Sequence, residues 1–201
     1  DLRMSRGLGD VYKRQDYDWE SYLDSFGFAP EKRERIVNAT FLSPVWEERD
    51  RGLYEEEVYL KQFQELDPQD AEDIEKVIKG SGQTIRKRPY ADTWVKYLKS
   101  KGYHVYILSN YSSYMLDHTK KELTFRREMD GEVFSCYANQ LKPDAEIYQT
   151  ILNKYQLKPE ECVFIDDRPE NCRGAQEQGI HTICFKDFKQ VTADLEKLGV
   201  K

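Results

Sequence analysis

Cysteine is scarce in this chain of 201 residues: Cys136, Cys162, Cys172 and Cys184 are the four, and none stands at CxxC spacing. That argues against a zinc site. Cys162 and Cys184 fall beside or within strand-like apolar runs, so buried free thiols are expected in place of disulfides. Histidine is scarcer still. His104, His118 and His181 are scattered without metal-ligand spacing and read as structural or surface residues. Basic residues are the minority, 31 Lys and Arg against 37 Asp and Glu for a formal charge of -6, which excludes a strong electrostatic footprint for nucleic acid. No run approaches the roughly eighteen apolar residues that would span a bilayer, and no signal peptide is visible. Neither a nucleic-acid nor a membrane partner is therefore expected, and a cytoplasmic location is. Internal repeats and low-complexity stretches are also lacking. At 39% hydrophobic residues the chain can still bury a core, as one domain or a domain with a smaller insert.

What is present concentrates at the ends of short apolar runs. Val163-Phe164-Ile165 reads as a buried strand and stops abruptly in Asp166-Asp167, followed by Arg168-Pro169-Glu170-Asn171. Buried parallel strands deliver functional groups at their carboxyl ends. Two adjacent carboxylates repel unless a positive charge lies between them, and a hard divalent cation such as Mg²⁺ answers that need. A second β-rich run, Tyr103 to Leu108, ends in Ser109-Asn110, a hydroxyl and an amide suited to a phosphate. Between the two runs Lys142 precedes Pro143, which can start the helix that Ala145 to Tyr155 predicts. A hydroxyl, a fixed ammonium and an acid pair on alternating strands and helices are what phosphoryl chemistry requires.

These residues resemble the motifs of the haloacid dehalogenase (HAD) superfamily of hydrolases, most of which are Mg²⁺-dependent phosphatases. Ile107-Leu108-Ser109-Asn110 is similar to its second motif, Lys142-Pro143-Asp144 to its third, and Phe164-Ile165-Asp166-Asp167 with Asn171 to its fourth. The likeness covers roughly residues 16 to 201. Within the superfamily it is nearest the helical-cap subgroup typified by bacterial glucose-1-phosphate phosphatase, which implies a small phosphorylated metabolite as substrate, such as a sugar phosphate. The resemblance implies that Ser109 and the Asn110 backbone N–H bind phosphoryl oxygens, that Lys142 neutralises nucleophile and phosphate, that Asp167 helped by Asp166 holds Mg²⁺, and that Asn171 orients Lys142 or the metal shell. It also implies an aspartyl-phosphate intermediate. A haloacid dehalogenase, a phosphomutase or a catalytically inactive binding protein of the same fold are the alternatives.

The family's nucleophile and acid/base are two aspartates one residue apart, at the end of an apolar first strand. Nothing in residues 1 to 15 reads as such a strand. Asp16-Tyr17-Asp18 has the carboxylate spacing, but Tyr12-Lys13-Arg14-Gln15 before it does not suit a buried strand, and Asp10 is a weaker candidate. Asp10 to Gln15 back-translates to GAT GTG TAT AAG AGA CAG, similar to the transposase mosaic-end adapter of sequencing libraries. Residues 1–15 are accordingly expected to be a non-native tail of translated adapter, with the first strand and nucleophile motif missing and the chain inactive as it stands.

The remaining pattern divides near Arg86 to Pro89. Trp19 to Phe26, Pro30 to Asn38, Glu55 to Glu65 and Pro68 to Lys79 carry helical apolar spacing, closed by Gly80-Ser81-Gly82. Beyond the break, helices at Ala91 to Ser100, Asp144 to Tyr155, Glu170 to Gln178 and Asp187 to Leu198 alternate with strands at 103–108, 132–137, 163–165 and 180–185. Such alternation predicts an α/β, Rossmann-like parallel sheet with helices on both faces. The domains expected are a tail over 1–15, a helical segment over 16–86 and an α/β core over 87–201. The helical segment resembles the HAD cap, a lid that would choose the substrate. Trp46, Arg49 and Arg51 are its candidates for substrate contact, with Tyr111, Ser112 and Ser113 from the core, against the alternative of a solvated helix end with Trp46 packed inside.

Overall fold

The structure, a computed structural model, describes residues 19–200 and the strand backbone of residues 3–6. The rest of the tail over 1–15 and the nucleophile candidates Asp10 and Asp16 lie outside the described residues.

Five parallel strands make one sheet in the order β3-β2-β1-β4-β5, with β1 Arg3–Arg6, β2 Val105–Ser109, β3 Gly131–Phe134, β4 Cys162–Asp166 and β5 His181–Cys184. Every residue of β2 and β4 is buried, as parallel strands covered on both faces require. The two-residue period sorts their side chains. Tyr106, Leu108, Cys162 and Phe164 join a core with α9 (Ala145–Lys154) and α10 (Pro169–Glu177). Val105, Val163 and Ile165 join the opposite core with α6 (Ala91–Ser100) and α11 (Phe188–Lys197).

The strand expected to be missing has an occupant. Arg3–Arg6 pairs with β2 and β4, Met4 lying opposite both Val105 and Val163 and Arg6 opposite Ile107 and Ile165. The physical reason is that ladder bonds use backbone groups, which every residue but proline supplies, and the facing edges of β2 and β4 would otherwise bury unpaired N–H and C=O rows. Composition alone pointed the other way. The four residues contain no carboxylate, and Gly7-Leu8-Gly9-Asp10 follows them in sequence.

Between β1 and the rest of the sheet, α1 (Trp19–Asp24), α2 (Pro30–Ala39), α3 (Pro44–Arg51), α4 (Glu56–Leu66) and α5 (Ala71–Lys79) form a helical layer. Its own core includes Leu23, Ile36, Phe63, Ile74 and Val77, all fully buried. Helix α3 was not foreseen, although Ser43-Pro44 starts it and Gly52 stops it in the left-handed region at φ 70°. Glycine is required there twice over, since a Cβ would also stand 2.6 Å from the Cys136 carbonyl oxygen. Short α7 (Ser113–His118) was not foreseen either; Ser112 Oγ caps it by accepting from the Met115 N–H at 3.2 Å. The run at 132–137 splits into β3 and α8 (Ser135–Ala138). That turn docks the helical layer: Ser135 Oγ donates to the Asp50 carbonyl at 2.5 Å, and Asn139 Nδ2 to the Arg51 and Gly52 carbonyls at 3.1 Å, satisfying the open end of α3.

Candidate active site

Ser109 is the last residue of β2 and Asp166 the last of β4, so the two reach the carboxyl edge of the sheet on either side of β1. The Ser109 hydroxyl is buried and has no hydrogen-bond partner among the described residues. A buried hydroxyl left open costs about 1–3 kcal/mol unless a ligand meets it. Asn110 spends its side chain on Lys142: its Nδ2 donates to the Lys142 carbonyl at 2.9 Å, and its Oδ1 accepts from the Lys142 N–H at 2.8 Å. This two-point clamp spans 32 residues and fixes the loop that presents the lysine.

The ammonium of Lys142 donates to Asp166 Oδ2 at 2.5 Å and to the Leu108 carbonyl at 3.1 Å. Both side chains are nearly inaccessible, 2% and 1% exposed. The other Asp166 oxygen accepts from the Arg168 N–H at 3.0 Å and from Asn171 Nδ2 at 2.9 Å. Burial alone would push the Asp166 carboxyl up, but the charge and hydrogen bond of Lys142, with those two further donors, hold it below the usual carboxylate range. Each oxygen of Asp166 is thus taken up by a protein donor. It serves as the counter-ion of Lys142, where the sequence suggested a metal ligand.

Asp167 stands one residue beyond the strand and lines a cavity of about 460 Å³ between the sheet edge and the helical layer. Asn110, Lys142, Asp167 and Arg168 form its polar floor, and Trp19, Phe41, Leu42 and Trp46, with Glu47 and Asp50, close it from the helical side. Arg168 ties the two layers together, donating to Glu47 Oε1 at 3.2 Å and to Glu170 Oε1 at 2.6 Å. Asn171, in the first turn of α10, leaves its buried Oδ1 without a hydrogen-bond partner among the described residues. Its carbonyl accepts from the Tyr148 hydroxyl at 2.7 Å, and burial pushes that phenol up, keeping it a donor.

Ser109, Asn110, Lys142, Asp166, Asp167 and Asn171 therefore come together, while the candidates from the helical side divide. Trp46 lines the cavity. Arg51 does not: it turns to Glu48 at 3.3 Å and Asp144 at 3.7 Å, because α3 ends there and its last turn docks on α8 and the Asn139 that follows it. Arg49 is buried against Glu56, at 3.0 and 2.5 Å. Tyr111 is also a correction: it is 3% exposed in the core, with its hydroxyl on Thr119 Oγ1 at 2.9 Å. Sequence reasoning missed Phe41, Leu42, Glu47 and Asp50. The signal was available, since a helix bounded by Ser43-Pro44 and Gly52 places Trp46, Glu47 and Asp50 on one face by their three- and four-residue spacing.

The donors offered are all oxygens, which suits a hard cation. Among the described residues no group of three or more His, Cys, Asp and Glu could hold a metal. Magnesium needs no such cage, because it binds through one or two carboxylates, substrate phosphate and retained waters.

The model of the haloacid dehalogenase-like hydrolase family matches residues 15–179 of this chain, and the chain belongs to that family. Among curated relatives, a chloroplast flavin mononucleotide hydrolase of Arabidopsis thaliana is 27% identical over 159 residues, 78% of this chain and 62% of its own length. A sesquiterpene phosphatase of Aspergillus oryzae is 24% identical over 157 residues, 78% of this chain and 80% of its own. The chain spans less of the bifunctional epoxide hydrolase 2 of Rattus norvegicus, 19% of that protein at 30% identity. The fold recurs in a HAD family enzyme of Bacteroides thetaiotaomicron, solved in complex with magnesium and inorganic phosphate, with a TM-score of 0.71 at 21% identity over 95% of this chain and 99% of that one. The expected α/β core beneath a helical layer is therefore the fold of the family.

Proposed function

We propose that this chain is the phosphate-binding and cap portion of a Mg²⁺-dependent phosphatase acting on a small phosphorylated metabolite. The observation that supports it most is that the clamped Lys142 and the Asp167 carboxylate line one cavity with Asn110, directly after the buried Ser109 whose hydroxyl finds no partner among the described residues. Relatives named as a flavin mononucleotide hydrolase and a sesquiterpene phosphatase support ester hydrolysis at phosphate.

In this reading Ser109 Oγ and the Asn110 N–H meet two phosphoryl oxygens, and Lys142, its charge shared with Asp166, faces the phosphate from the floor. Asp167 would hold the Mg²⁺, with the side-chain Oδ1 of Asn171 beside it, and the ion would supply charge neutralisation at phosphate. Residues 19–86 act as the cap that closes over the ester and residues 87–200 as the core; Arg168 and Glu47 latch the two. Cap closure excludes water from the developing charge. Hydrolysis through an aspartyl-phosphate needs an aspartate at the end of β1, and Arg3–Arg6 offers none, so the chain as given binds phosphate without turnover. The reading puts the protein in the cytoplasm with small phosphorylated metabolites; among the described residues no helix is long and apolar enough to cross a membrane.

The test is a panel of small phosphate esters with this chain and with a version carrying Asp-x-Asp directly after β1, each with and without MgCl₂. Metal-dependent phosphate release is expected from the second alone. Release by the first would overturn the account of the nucleophile, and chloride release from 2-haloacids without phosphate release would favour a dehalogenase.

A further inference from the structure

The side of the cavity that faces the phosphate edge is built from apolar rings. Phe41 and Trp46 lie 4.8 Å apart, Trp19 stacks on Phe41 at 5.9 Å and 21°, and Leu42, 61% exposed, completes the wall at the mouth. The rings are held from behind. Phe41 is 8% exposed, and Trp46 is backed by Phe63 at 6.3 Å and by the Arg49 guanidinium at 5.2 Å, which Glu56 fixes in turn. A polyhydroxylated leaving group pressed on these side chains would give up water hydrogen bonds that Phe41 and Leu42 cannot replace. A flat ring there would gain both apolar burial and ring-to-ring contact. The carboxylates on the same side, Glu47 and Asp50, would repel a second anionic group on the ester, and the Glu47 partner, Arg168, is already engaged at 3.2 Å.

We propose that the esters this site takes carry a single phosphate and a flat, ring-bearing apolar leaving group, in place of a sugar. The inference rests on the phosphate site described above and adds the chemistry of what leaves. Binding tests it without any need for turnover. The full chain is titrated calorimetrically in MgCl₂ with phenyl phosphate, inorganic phosphate, glucose 1-phosphate and fructose 1,6-bisphosphate. Phenyl phosphate is expected to bind about tenfold more tightly than inorganic phosphate, about 1.4 kcal/mol. Glucose 1-phosphate should bind no more tightly than inorganic phosphate, and the bisphosphate more weakly. Leu42→Asn, a change at an exposed position that leaves folding safe, should lower the ratio of phenyl phosphate to phosphate affinity about threefold. If glucose 1-phosphate matches phenyl phosphate, or that ratio does not move, the proposal fails while the phosphate site stands. If inorganic phosphate does not bind, or binds equally well to Ser109→Ala, the site itself is wrong and the proposal falls with it.

Discussion

Replacing Lys142 by methionine removes the ammonium and keeps most of the stem volume, so its effect reports on the buried charge pair. Asp166 is then left 1% exposed with only the Arg168 N–H and the Asn171 amide as donors. Breaking such a pair costs about 3–5 kcal/mol at neutral pH, a large share of a typical stability of about 5–15 kcal/mol. The pH dependence separates this cause from simple loss of packing. In the unaltered protein the Asp166 carboxyl lies below its unfolded value of about 3.9, so its stabilisation is complete above that pH and is lost as pH falls through the folded value. In Lys142→Met burial dominates and the carboxyl moves the other way. A raised carboxyl contributes stability below the unfolded value and loses it as pH rises through the folded one. Between pH 7 and pH 5 the variant should therefore recover up to about 2.7 kcal/mol, at about 1.4 kcal/mol per unit, while the unaltered protein gains nothing from this group. Asp166→Asn added to Lys142→Met should restore about 2 kcal/mol at pH 7 by removing the stranded charge. Urea unfolding at pH 7, 6 and 5, compared at a common m-value, measures both. A gap between variant and parent that is the same at pH 5 and pH 7, or a double variant that simply adds the single losses, refutes the buried-charge account.

Three further outcomes follow from the same geometry. Ser109→Ala deletes a buried hydroxyl that has no partner among the described residues, so the unfolding free energy in urea should hold or rise by about 0.5 kcal/mol while phosphate affinity falls about fivefold; a stability loss above about 1 kcal/mol would mean the hydroxyl already has a structural partner. Asn110→Ala orphans the N–H and C=O of Lys142 together and should cost about 2–4 kcal/mol by urea unfolding and weaken phosphate binding with it. Gly52→Ala sets a side chain into a left-handed residue 2.6 Å from the Cys136 carbonyl and should cost about 2–3 kcal/mol, read as a lowered thermal midpoint; a loss under about 0.5 kcal/mol would show that the α3 end yields freely.

The polar half of the site was legible because its signals are local. Ile107 to Asn110 and Phe164 to Asp167 each announce a buried run and the polar group at its end, and parallel strands bring such ends to one edge by topology alone. Lys142 was legible from the proline after it. Its partner was not, since a lysine between two aspartates and an open cavity can meet any of them; its ammonium lies on Asp166, and Asp167 lines the cavity. The helical boundaries held for the long, strongly periodic elements and failed at α3 and α7, where eight and six residues give too few turns for periodicity to speak.

The first strand taught a different lesson. Its absence was inferred from side chains, because central strands of parallel sheets are usually apolar on both faces. The sheet, however, has a backbone requirement that precedes any side-chain preference: with β2 and β4 fixed on either side by their own cores, the groove between them offers two rows of donors and acceptors at strand spacing. Arg3–Arg6 meets that requirement in parallel register without meeting the chemical one, for it delivers no carboxylate to the edge where Ser109 and Asp166 wait. Fold and side-chain chemistry therefore separate at this strand. Backbone pairing there completes the sheet, and a parallel ladder alone does not specify which side chains stand at its carboxyl edge.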